Sequence, residues 1–100
     1  MRLGDSVEEL EKAWSDEQGF LFELRMGLFS SEKARDFLSM IQLIEAEDAE
    51  LVSRRAVSLL WYLPLFLGWQ VERVDPKDHA ELRRVITSVE NHLSIVLGVP

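Results

Sequence analysis

The side chains gathered most densely in this sequence are carboxylates. Glu45, Glu47, Asp48 and Glu50 stand close together, and Asp16 with Glu17 forms a smaller pair nearer the start. Such groups can hold a metal, act as general acid and base, or present charge to a basic surface. A metal needs convergent ligands, with histidine the usual companion. His79 and His92 are the only histidines and fall thirteen residues apart in one helical pattern. That spacing separates them by roughly 20 Å. Neither has a glutamate three residues before it, so the ligand pair of di-iron bundles is missing. No metal or cofactor is expected.

Acid–base catalysis requires carboxylates whose proton affinity is shifted by burial or by neighbouring charge. Here the acids fall on helix starts, turns and outer faces, where water solvates them. Glu23 is the exception, since Phe20, Leu21 and Phe22 precede it and Leu24 follows. The chain has no cysteine, which removes thiolate chemistry and disulfides. It also lacks a glycine loop able to cradle phosphate. We therefore expect no catalytic residue and no enzymatic activity.

The remaining use of the acids is electrostatic. The net charge is −7, but it is unevenly spread. Residues 1–50 carry thirteen acids against five bases, and residues 51–100 carry five against six. A field of this sign repels phosphate backbones, because nucleic-acid affinity comes largely from lysine and arginine displacing counterions. Nucleic acid is thus not an expected partner. A concentrated negative face instead speeds encounter with a basic protein and rejects wrong partners. Asp16, Glu17, Glu45, Glu47, Asp48 and Glu50 are the expected contact residues. Small acidic helical proteins such as bacterial immunity proteins occlude cationic nucleases in this way, an analogy of size, charge and helicity alone.

A second group is aromatic: Trp61, Tyr62, Phe66 and Trp69 surround Pro64. They can fill a core and make a rigid corner. Alternatively, so many large rings exceed what a small bundle can bury and leave a patch for self-association. A homodimer is then expected, with Arg54-Arg55 and Arg83-Arg84 meeting the acidic half of a second copy. The third reading is a small-ligand pocket beside Trp61 and Trp69.

The elements that position these groups follow from periodicity. Hydrophobic residues make up 47% of the 100-residue chain and charged residues 29%, which suits one globular domain over residues 1–100. Ser6 to Glu9 reads as a capping box opening a helix, with Val7, Leu10, Trp14, Leu21, Leu24 and Leu28 as its inner stripe. This helix is continuous or breaks near Gly19, and residues 19–28 also carry a strand-like alternation. Ser30-Ser31 caps a second helix burying Ala34, Phe37, Leu38, Ile41 and Ile44. A turn is placed at 46–48.

The third helix carries Leu51, Ala56, Leu59, Leu60 and Leu63 inward, is kinked by Pro64, and stops at Gly68. Residues 69–74 form a loop. Asp75-Pro76 opens the last helix, with Leu82, Val85, Ile86, Val89, Leu93 and Val96 buried and Gly98 as the stop. The expected fold is all-α, a compact antiparallel bundle of about four helices with a proline-kinked third helix.

The apolar run from Leu59 to Trp69 is too short for the ~20 residues a bilayer crossing needs. The first residues lack the apolar core of a secretory signal. No membrane association is expected, and the absence of cysteine fits a cytoplasmic location.

Overall fold

In the computed structural model the described residues are 1–45 and 53–98, and all of their regular structure is helical. Six α-helices follow one another: α1 (Val7–Ser15), α2 (Phe20–Arg25), α3 (Ser31–Gln42), α4 (Arg54–Trp61), α5 (Leu63–Gln70) and α6 (His79–Val96). Short 3-10 turns at Gly4–Ser6 and Pro76–Asp78 lead into α1 and α6. The expected all-α bundle is what forms, with the first and third of its helices each divided in two. The turn placed at 46–48 and Leu51 lie outside the described residues.

The first helix breaks because Asp16 leaves the helical region and its Oδ1 accepts the Gln18 amide at 2.9 Å, closing an Asx turn. Gly19 then turns the chain back, so α2 packs against α1. A Cβ at Gly19 would lie 2.9–3.0 Å from the carbonyl oxygens of Lys12, Ala13 and Asp16. These are backbone atoms of the helix end and cannot swing aside. Gly19→Ala is expected to destabilise the protein by about 1–3 kcal/mol, read by urea denaturation. A change near zero would mean that the break is not tightly closed.

Residues 20–25 resolve as helix rather than strand. Gly27, at φ +81°, then adopts the left-handed conformation. The register of the inner stripe is lost at this point, and Leu28, expected inward, is exposed. Ser6 also departs from expectation. The preceding 3-10 turn already holds it in a helical conformation, so its hydroxyl donates back to the Leu3 carbonyl rather than capping α1.

Ser30 caps α3 as expected, accepting the Lys33 amide at 3.2 Å. Ser53 caps α4 in the same way, accepting from Ala56 at 3.2 Å. The third helix breaks at Tyr62, and Pro64 sits in the first turn of α5, where its missing amide costs nothing. Gly68 does not stop this helix, which runs on to Gln70 before Val71 and Val74 enter the core from the following turn. Asp75 Oδ1 accepts the Lys77 amide at 3.0 Å and starts the turn into α6.

The core draws on every helix. Leu10, Leu24, Ile41, Leu60, Leu67 and Leu82 are among its fully enclosed side chains. Two helix pairs are interleaved along the chain, α1 on α4 and α3 on α6, while α1 on α2 and α5 on α6 join consecutive helices. The radius of gyration is 13.2 Å, close to the ~13 Å of a well-packed domain of this length.

Candidate functional site

Three acids of the first half, Glu9, Asp16 and Asp36, line a groove between α1 and α3. Glu9, Lys12, Ala13 and Asp16 follow one another at helical spacing on α1 and just beyond its end, and Lys33, Asp36, Phe37 and Met40 do the same on α3. With Gln18, Gly19 and Phe20 closing one end, these faces line a shallow groove of about 250 Å³. Its floor is apolar. Phe20 and Phe37 stack at a tilt with ring centroids 5.2 Å apart, and Phe29 meets Phe20 edge-on at 6.1 Å.

The rim carries both signs, but the lysines are engaged. Lys12 Nζ lies 3.5 Å from Glu8, and Lys33 Nζ lies 2.9 Å from Glu23. The latter pair accounts for the unusual setting of Glu23, a half-buried carboxylate that joins α2 to α3. Glu9, Asp16 and Asp36 have no ion-pair partner among the described residues. The groove thus offers three uncompensated carboxylates above an aromatic floor. That suits a lysine or arginine, whose aliphatic stem packs on rings while its charged head stays at the wet rim.

Of the residues expected at an acidic face, Asp16 lies on this rim. Glu17 is exposed in the same turn but does not line the groove. Glu45 sits beyond the end of α3, with its carboxylate 3.8 Å from the amino group of Met1. Glu47, Asp48 and Glu50 lie outside the described residues. Glu9 and Asp36 were not singled out from the sequence. Their signal was present in the helical spacing that sets each acid one turn from an apolar residue, Ala13 and Met40 respectively.

The aromatic group divides. Trp61 and Trp69 are exposed, at 55% and 58%, whereas Phe66 is buried. A patch containing all four rings is therefore corrected to one that excludes Phe66. Tyr62 links the outer rings, with centroids 5.7 Å from Trp61 and 5.8 Å from Trp69. Behind them Trp14 meets Phe66 edge-on at 4.8 Å and donates its indole N–H to the Leu59 carbonyl at 3.1 Å. A cleft of about 360 Å³ runs between Trp14, Leu59, Trp61 and Tyr62, with Arg25 and Arg55 at its edge. Trp61 borders it and Trp69 does not. Arg55 is bound to Glu11 at 2.8 Å, and Arg25 lies over the Phe66 ring at 5.6 Å.

Each histidine is hydrogen-bonded to a backbone carbonyl, His79 to Val74 at 3.1 Å and His92 to Ile44 at 2.8 Å. Among the described residues no three metal-binding side chains converge. No described helix is long and apolar enough to cross a membrane. Compared with known proteins, the chain matches no family model, no curated protein and no solved structure.

Proposed function

We propose that the protein is a non-enzymatic binding module that occludes a basic segment of a partner protein, using the acid-rimmed groove between α1 and α3. The observation that supports this reading is the pairing of three uncompensated carboxylates, Glu9, Asp16 and Asp36, with a floor built on Phe20 and Phe37. The carboxylates steer a cationic partner, and the rings provide the apolar contact that holds it. Rejection of nucleic acid and a cytoplasmic setting complete the proposal, supported by the acidic balance and the lack of cysteine.

The test is charge reversal on the exposed rim, Glu9→Lys with Asp36→Lys, in affinity purification from native extract at low and high salt. The wild-type protein should retain a basic protein at low salt and release it at high salt. The variant should bind the purified partner at least about tenfold more slowly, because rim charges act mainly on association. Helix content by circular dichroism should be unchanged. Capture that is indifferent to the reversal would overturn the reading.

A further inference from the structure

On the opposite side of the charge distribution, one line of exposed residues runs the length of α4 and α5 and into the turn that follows. Arg54, Ser58, Trp61, Leu65, Gly68, Trp69 and Glu72 are all exposed. Their spacing follows the helical repeat across the break at Tyr62. Arg54 and Glu72 are eighteen residues apart, which corresponds to about five helical turns and roughly 27 Å if the path were straight. The line has a basic end, an apolar middle and an acidic end. Neither Arg54 nor Glu72 has an ion-pair partner among the described residues.

That order of features is self-complementary when the line is laid antiparallel on a copy of itself. With the two-fold axis at position 63, Trp61 meets Leu65 of the second copy on either side of the axis, Ser58 meets Gly68, and Arg54 meets the second copy's Glu72 at both ends. Gly68 is consistent with this arrangement. A helical glycine costs about 1 kcal/mol relative to alanine, yet a Cβ there would meet nothing within 4 Å. The chain's own packing gives no reason for it, whereas a second helix crossing at that point gains a close approach.

We propose that the α4–α5 line is the contact surface of an isologous antiparallel homodimer. This goes beyond the groove reading and uses a different face. Tryptophan and tyrosine are the side chains that most often dominate such contacts, and Tyr62 with Trp14 behind it holds the outer rings in place before association. The strength is bounded by area. Trp61, Trp69 and Leu65 together expose on the order of 300 Å² per copy, given about 150–250 Å² for a whole aromatic side chain. With the polar residues at both ends, the pair approaches the roughly 1,000–1,200 Å² at the low end of specific interfaces. An interface of this size falls in the weak, transient class, so the association is sought at micromolar concentration and above.

Sedimentation equilibrium over about 1 µM to 1 mM protein tests the arrangement. Wild type should pass from monomer to dimer and go no further, because a two-fold contact closes on itself. Leu65→Asp, which sets a carboxylate against the second copy's Trp61 on each side of the axis, should keep the protein monomeric with its helix content intact. Arg54→Glu and Glu72→Arg should each weaken the dimer several-fold by setting like charges together. The double swap, Arg54→Glu with Glu72→Arg, should restore it, because each new glutamate again faces an arginine. A monomer throughout, a dimer indifferent to Leu65→Asp, or a double swap no better than the single changes would each overturn the proposal. Reversal at Glu9 and Asp36 leaves this association unchanged, so the two surfaces can fail separately.

Discussion

Replacing Trp14 by alanine should destabilise the protein by about 3 kcal/mol, toward the lower end for large aromatics because the ring is only part-buried. Trp14 belongs to α1 but serves α4 and α5. Its indole N–H donates to the Leu59 carbonyl at 3.1 Å, and its ring abuts Phe66 at 4.8 Å and Tyr62 at 6.0 Å. Truncation removes apolar contacts at this junction together with the hydrogen bond to Leu59. In a domain of this size the expected fall in Tm is roughly 12–24 °C, measured by calorimetry. Trp14→Phe should recover most of the packing but not the hydrogen bond, and so fall between. Equal Tm values for all three proteins would show that the ring does not tie α1 to the second half.

The second large effect is expected at Leu60, which is fully enclosed in α4. Leu60→Ala should cost about 2–5 kcal/mol through lost transfer energy and the cavity left behind. Leu65 lies five residues further on and is 48% exposed. In the monomer, Leu65→Ala should cost less than about 0.5 kcal/mol. Urea denaturation of both variants at sub-micromolar concentration isolates burial as the variable, because the chemical change is identical. Similar costs would contradict the placement of the two faces.

Much of this fold was legible from apolar spacing. Ala34, Phe37 and Ile41 recur at helical intervals behind a serine cap, and the structure buries all three. Asp75-Pro76 likewise announces α6, and Leu82, Val85, Val89 and Leu93 are buried along it. What was not legible depended on backbone conformations that side-chain pattern does not encode. Gly68 looks like Gly27 or Gly98 in sequence, but only the latter two take positive φ and end their helices. Ser6 has the residues of a capping box, yet the 3-10 turn before it denies it the extended conformation that a cap needs.

The candidate sites were legible to a lesser degree. Local density drew attention to Glu45 and its neighbours, whereas the groove assembles Glu9, Asp16 and Asp36 from two helices and the turn after the first. Convergence of that kind is decided by which helices pair. Phe66 was grouped with Trp61 and Trp69 by proximity in sequence. Helical geometry instead turns it about a quarter-turn from Leu65, toward Trp14 and the core.

The interleaved pairing of the helices bears on the order in which the protein can assemble. Trp14 reaches Leu59 across 45 residues, His92 reaches Ile44 across 48, and Ser31 reaches Glu81 across 50. Few of these contacts can be made by folding neighbouring helices into hairpins. Long loops must close before much apolar area is buried, so the chain should fold more slowly than a bundle of sequential hairpins with equal helix content. During synthesis, α1 lacks its partner α4 until residues 54–61 have emerged, and α3 lacks α6 until residues 79–96 have followed. Trp14, whose contacts Leu59, Tyr62 and Phe66 all come later in the chain, remains uncovered for that interval, making the growing chain more vulnerable to aggregation than the folded one.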